Sequence, residues 1–350
     1  METISPALYS LDRVLKCKTV ISTSAEGTAE LECECTSEAQ VYSDGSGLGS
    51  KARAVAVLYR EGTSPRVLRY SLGTLVQHTT YEAEAVGLSL ALHLLRCAWD
   101  VRKATIHIDN QAVINSLSIR KPKSAQYLID KIFQQIDNLW ERATHPTYML
   151  EIVWIKGHSS SVGNEEVDRE AKKAVEDNSS RIGALPSLLA EGSLPLSVTA
   201  MRQAFAAKLW HMWETNWKES PRFVKFSKID SKMPSTGFKH LTTLYSRLQT
   251  SLLVQLRSGH MPLNAYLHRI SMATSALCPS CRQAPETVHH YLVDCAMWRH
   301  ERWHIAKKLG RDSKSMPHLL NTRKGMAEVF KSVGRMGRFK ACYGDTSLVN

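Results

Sequence analysis

The chain has no run of 18 or more consecutive apolar residues, which argues against a transmembrane helix and a membrane partner. Its start, Met1-Glu2-Thr3-Ile4-Ser5-Pro6, lacks a basic opening followed by an apolar stretch, so a secretory leader is not expected. Cysteine is sparse. The eight residues Cys17, Cys33, Cys35, Cys97, Cys278, Cys281, Cys295 and Cys342 are too scattered for a disulfide scaffold and suggest a reducing, intracellular setting. Internal repeats and low-complexity blocks are missing as well, which excludes solenoid and fibrous architectures. What is present is a folding composition, 43% apolar and 22% charged, in 350 residues that suit one large domain or two ordinary ones.

The net charge of +12 is unevenly distributed. Residues 1–37 carry 3 Lys/Arg and 6 Asp/Glu, and residues 38–178 carry 17 of each. Residues 179–350 carry 25 Lys/Arg and 10 Asp/Glu, a surplus of 15 positive charges. Such a surplus points to a polyanionic partner, most simply nucleic acid.

Residues 1–37 have no clear period and read as an N-terminal tail or linker. A strand signal at Gln40–Ser43 stops at Asp44-Gly45-Ser46-Gly47. Alternating runs at 52–59 and 67–72, separated by the turn cluster Glu61-Gly62-Thr63-Ser64-Pro65, extend this to an antiparallel meander. The stretch 80–98 is apolar on more than one face, the mark of a buried helix. A fourth strand, 104–108, runs into Asp109. Helices at 111–117 and 125–142, a fifth strand at 148–155 and a last helix at 164–176 follow. The order βββαβααβα over residues 38–178 predicts an α/β fold, a mixed five-stranded sheet with flanking helices. Residues 179–196, rich in Ser, Pro and Gly, read as a linker. Residues 197–350 read as a mainly helical, basic region.

Four acids sit at the ends of these elements: Asp44, Glu84, Asp109 and Asp168. Any one has an ordinary explanation; Asp109, for instance, would pass for a helix N-cap. Gathered in one place they would repel one another, unless hard divalent cations such as Mg²⁺ sit among them. Two such ions about 4 Å apart can hold both oxygens of a phosphoryl displacement.

Asp44-Gly45-Ser46, Thr79-Thr80-Tyr81-Glu82-Ala83-Glu84, Ile108-Asp109-Asn110 and Lys156-Gly157-His158 with Asn164-Glu165-Glu166-Val167-Asp168 together resemble the ribonuclease H type 1 family. The resemblance covers about 140 residues. It implies an endonuclease that cuts the RNA strand of an RNA–DNA hybrid with two Mg²⁺ (or Mn²⁺) ions held by Asp44, Glu84, Asp109 and Asp168. Glu82 is a rival to Glu84, which is preferred because the apolar helix continues from it. His158 would help protonate the leaving group or release product. Where cellular members often carry an asparagine pair before the catalytic glutamate, this chain has Thr80 and Tyr81. The basic run Arg120-Lys121-Pro122-Lys123 is a further candidate phosphate contact or a solvated loop.

In the basic half, Cys278-Pro279-Ser280-Cys281 is followed by His290 and Cys295. The spacing Cys-x2-Cys-x8-His-x4-Cys suits a small structural zinc element, with His289 the alternative to His290. Trp210, Trp213 and Trp217 recur at helical spacing, which favours a face buried on a neighbouring helix over one stacked on bases. A second aromatic–basic stretch spans 298–308.

Arg257-Ser258-Gly259-His260-Met261-Pro262-Leu263-Asn264, Leu267-His268-Arg269-Ile270, the Cys/His cluster and Gly337-Arg338-Phe339-Lys340 are similar to the tail of fungal non-LTR (LINE-type) retrotransposon polyproteins. No reverse-transcriptase signature of the Tyr-x-Asp-Asp kind is present. The resemblance therefore implies a C-terminal fragment of such a polyprotein or a gene derived from one, a reverse transcriptase as partner, and nuclear residence. The alternative to an active hybrid ribonuclease is a nucleic-acid-binding remnant with an idle metal site.

Overall fold

The computed structural model describes residues 1–4, 14–22, 35–98, 100–119, 122–156, 169, 179–231, 236–344 and 346. The chain divides into two compact units, Met1–Lys208 and Leu209–Asn350.

The first unit is built on a sheet of six strands: β1 (Lys18–Val20), β2 (Ala39–Leu48), β3 (Lys51–Arg60), β4 (Arg66–Thr74), β5 (Lys103–Ile108) and β6 (Met149–Trp154). Their order is β1-β6-β5-β2-β3-β4. The hairpin-linked strands β2, β3 and β4 pair antiparallel, and β1, β6, β5 and β2 pair parallel. Helices α1 (Thr80–Arg96), α2 (Gln111–Ser118) and α3 (Gln126–Arg142) follow the meander in the expected order. The last expected helix, 164–176, falls outside the described residues apart from residue 169.

Alternation along β3 divides the core. Ala52, Ala54, Ala56 and Leu58 join the main cluster with α1, while Val55 and Val57 pack with Tyr42 and Ile155 in a smaller one. Small side chains on the α1 side let that helix lie close to the sheet. Its buried residues, among them Val86, Leu88, Leu90, Leu92 and Leu94, run around most of its surface, as a core helix requires. Thr79 and Glu82 close a capping box at its start.

Three expectations change. The sheet has six strands rather than five, because Lys18–Val20 adds to β6 along its edge. Three residues are too few to display a period. The segment read as a linker packs instead on the first unit: Leu185, Leu189 and Leu194 are buried in its main cluster. Ser179 and Ser180 accept hydrogen bonds from the backbone of Ser71 and Arg69 on edge strand β4. Finally, β2 does not stop at Asp44 but continues through Gly45 and Gly47 to Leu48.

A 3₁₀ turn (Ile182–Ala184) and short helix α4 (Ser187–Ala190) lead to the long helix α5 (Val198–Glu219). On α5, Trp210 and Trp213 are each about half exposed, at 51% and 49%, unlike the buried face expected for them. Trp217 instead meets Phe223 and Phe226 edge-on. Among the described residues no helix is long and apolar enough to cross a membrane.

The second unit is helical: α6 (Phe223–Phe226), α7 (Thr236–Thr242), α8 (Arg247–Ser258), α9 (Asn264–Arg269), α10 (Arg299–Leu309), α11 (Met316–Asn321), α12 (Arg323–Met336) and α13 (Lys340–Tyr343). Its core gathers Leu252, Leu256, Met261, Tyr291, Leu292 and Phe330. Arg257, from the tail motif, is buried rather than presented to solvent. It bonds Asp230 Oδ2 at 2.8 Å, the Leu320 carbonyl at 3.0 Å and Asn321 Oδ1 at 2.9 Å, and lies over the Phe238 ring.

Candidate active site

The parallel pairing of β2 and β5 ends at Ser43 and Ile108, so the next residues on the two strands are Asp44 and Asp109. Glu84 reaches them from the second turn of α1. One oxygen from each of these three carboxylates lies within 4.8 Å of the others, and all three residues are partly buried. Asp168 and His158, with Gly157, Asn164 and Glu165, lie outside the described residues. Glu82, the rival to Glu84, is fully buried at the capping box with Thr79 and is not among the three.

Glycine makes this convergence possible. A Cβ on Gly45 would stand 2.0 Å from the Glu84 nitrogen and 2.3 Å from the Ala83 carbonyl carbon, a distance no side chain tolerates. A Cβ on Gly87 would stand 3.1 Å from the Asp44 carbonyl oxygen. Backbone therefore meets backbone where α1 crosses β2, and the Gly45 N–H donates to Glu84 Oε2 at 3.0 Å. The pair Asp44-Gly45 reads in sequence as a turn. Its actual role, close approach, leaves no local signal.

Two more residues hold the site, in roles the sequence did not display. The Asn110 side-chain oxygen caps α2 by accepting from Ala112 and Val113 at 2.9 and 3.3 Å, so the capping role open to Asp109 falls to its neighbour. The Asn110 side chain also favours the charged form of Glu84. Trp154 Nε1–H donates to the Asp109 carbonyl at 2.9 Å, fixing the backbone that carries that carboxylate.

Burial, and then the charges of Asp109 and Asp44, push the Glu84 carboxyl well above its ordinary value of 4.5, against the opposing influence of Asn110 and Gly45. Such a site gains most from positive charge placed among its oxygens. The donors are all hard carboxylate oxygens, which fits Mg²⁺ or Mn²⁺ and not a thiophilic ion.

Of the basic run, Arg120 and Lys121 lie outside the described residues. Lys123 bonds Ser116 Oγ at 2.7 Å and sits over the Tyr81 ring. Tyr81, at one of the two positions where the asparagine pair was looked for, donates its hydroxyl to the same Ser116 oxygen at 2.8 Å.

In the second unit, ligand atoms of Cys278, Cys281, His290 and Cys295 also lie within 4.8 Å of one another. A tight turn presents the first pair: Arg282 N–H bonds the Cys278 carbonyl at 2.8 Å, and Cys278 N–H bonds the Ala284 carbonyl at 2.9 Å. A π-helical turn over His290–Asp294 presents the second pair, closed by the Cys295 N–H on the His290 carbonyl at 2.8 Å. Residues five apart would diverge on an ordinary α-helix, and the wider turn brings them together. His289 points elsewhere and pairs with Asp294 at 2.7 Å. Cys278 Sγ and Cys295 Sγ are 3.8 Å apart, and Cys281 Sγ and His290 Nε2 are 3.4 Å apart. A tetrahedral ion with Zn–S bonds of about 2.3 Å needs sulfurs roughly 3.8 Å apart, so the donor set fits zinc.

Residues 36–176 match the family model described as RNase H, and this part of the chain is an RNase H domain. No curated protein matches the chain. Among solved structures, the chain is similar to RNase H1 from the halophilic archaeon Halobacterium salinarum NRC-1. That match has 18% identity and a TM-score of 0.31, and covers 40% of this chain and 98% of that one. The assignment of residues 36–176 rests on the family match.

Proposed function

We propose that the chain is an endonuclease that hydrolyses the RNA strand of RNA–DNA hybrids. An RNase H domain supports nucleic-acid hydrolase chemistry in general. The observation that carries the specific reading is the gathering of Asp44, Glu84 and Asp109 oxygens within 4.8 Å. With Asp168 as a fourth ligand, these residues would hold two Mg²⁺ or Mn²⁺ ions. When bound, such ions neutralise the carboxylates, make a bound water acidic enough to supply hydroxide, and stabilise charge on both reacting oxygens. The chain's own part is preorganisation. Gly45 N–H holds Glu84, Trp154 holds the Asp109 backbone, and the acids meet without rearrangement. His158 is assigned the proton delivered to the leaving group or the release of product.

We further propose a structural zinc ion on Cys278, Cys281, His290 and Cys295, supported by the donor spacings above. With four protein ligands it would stabilise the second unit and take no part in catalysis. The surplus of positive charge in residues 179–350 supports nucleic acid as the partner. A retroelement origin, with a reverse transcriptase acting in concert, is supported by the tail motifs.

The decisive experiment is cleavage of a labelled RNA–DNA hybrid with Mg²⁺ or Mn²⁺. Wild type should cut, and Asp109→Asn should bind without cutting. Binding without cleavage by wild type, in either metal, would replace the enzyme with the idle remnant.

A further inference from the structure

Helix α10 is anchored at three points. Ile305 is buried in the core of the second unit. Glu301 pairs with Arg335 of α12, and the Arg302 guanidinium donates to the Cys295 carbonyl. His300 and His304 lie one turn apart on the same helix, the first exposed and the second half-buried. Their Nε2 atoms are 3.3 Å apart, while their ring centroids are 4.9 Å apart. The nitrogens are thus the near edges of the two rings. A hydrogen bond between them would be shorter, about 2.9–3.0 Å, and nearly straight. A tetrahedral ion about 2.0–2.1 Å from each nitrogen needs them roughly 3.3–3.4 Å apart, and that is the spacing present.

We propose that His300 and His304 form a surface site for a divalent transition ion of the zinc, nickel and copper class, sharing no ligand with the Cys278–Cys295 set. Imidazole nitrogen suits these ions, whereas Mg²⁺ prefers oxygen and would not compete. Each neutral ring gives one nitrogen lone pair, and the anchored helix holds the two rings near their liganding distance before the ion arrives. Water fills the remaining positions.

The segment His300-Glu301-Arg302-Trp303-His304 has the form His-Glu-x-x-His, in which a metallopeptidase uses the glutamate as its base. Here Glu301 is held by Arg335, and among the described residues no third Cys, His, Asp or Glu joins the pair. The geometry therefore supports metal binding and not peptide hydrolysis.

The test titrates the full chain, dialysed against metal-free buffer, with Ni²⁺ in a calorimeter. His300→Ala and His304→Ala should each weaken one binding event by about tenfold or more, since even the outer partners of a bound metal are worth that much. Alanine favours helix at both positions, so lost binding would not reflect a lost fold. His268→Ala removes a single exposed imidazole, bonded to the Ala273 carbonyl, and should leave the event unchanged. Bound metal also clamps one turn of α10. Amide exchange at 300–304 should therefore slow on adding Ni²⁺ to wild type, and not in either histidine variant. No Ni²⁺ binding by wild type, or binding and exchange that stay the same in both variants, would overturn the proposal. Neither readout depends on nuclease activity.

Discussion

Gly45 and Glu84 are joined twice: by a 3.0 Å hydrogen bond from the glycine N–H to the carboxylate, and by a backbone approach that only hydrogen at Cα allows. One residue thus sets both the depth of α1 on the sheet and the position of a carboxylate.

Gly45→Ala is therefore expected to cost about 3 kcal/mol or more, since neither partner in the clash is a movable side chain. Chemical denaturation measures this. Gly183→Ala, where an added Cβ meets nothing within 4 Å, is the control and should stay within about 0.5 kcal/mol of wild type. A mild effect at Gly45 would mean that α1 can lift from β2.

The crowded acids give the metal-free chain a particular pH dependence. The carboxyl of Glu84 lies above its ordinary 4.5 in the folded state because burial, Asp109 and Asp44 disfavour its charge. The folded state then holds a proton that the unfolded state has lost. Its stabilising contribution is complete below about 4.5 and disappears as pH rises through the raised value. Glu84→Gln should thus raise the melting temperature at pH 7 in a chelator, leave it unchanged at pH 4, and lose its advantage when Mg²⁺ is added. Thermal melts at the two pH values decide the matter.

Zinc content should be one ion per chain in the wild type and should fall in Cys278→Ser and Cys295→Ser. Hydrogen exchange should then quicken around 277–295, where Tyr291 and Leu292 carry the turn into the core of the second unit, while strands β2 to β6 keep their protection. Unchanged zinc content in both variants would rule the site out.

Glu2 is a buried carboxylate that caps two helices at once. It accepts from Ala125 N–H, where α3 begins with no side-chain cap of its own, and from Val198 N–H at the start of α5, both at 2.7 Å. The Ser124 hydroxyl is a third donor. Glu2→Ala leaves these donors unsatisfied and should cost about 1–3 kcal/mol. Faster amide exchange at Ala125 and Val198 would accompany the loss, and unchanged exchange would speak against the double cap.

Arg257→Ala should cost about 3–5 kcal/mol, because it removes the buried ion pair with Asp230 together with the bonds to Leu320 and Asn321. Arg257→Lys should recover only part of this, since one ammonium cannot replace the planar fork that reaches Asp230, Leu320 and Asn321. A neutral Arg257→Ala, by denaturation of the full chain, would return this residue to the surface role its charge suggests.

Taken by itself, the sequence determined the order of strands and helices from β2 to β6, because apolar period and turn chemistry are local properties. It singled out Asp44, Glu84, Asp109 and Asp168 as one group, and the four Cys/His positions as another, because ligand chemistry restricts residue type and spacing. Tertiary structure alone decided the rest. The sixth strand exists only because β6 offers an edge, and the 179–196 segment packs only because β4 and the core leave room for it. Which face of α1 meets β2 puts Glu84, already preferred from the sequence, beside Asp44 and Asp109, while Glu82 closes the helix cap. The supporting roles of Gly45, Asn110 and Trp154 were invisible beforehand. Each acts through a neighbour distant in the chain, and such a distance is a property of packing that no local pattern encodes.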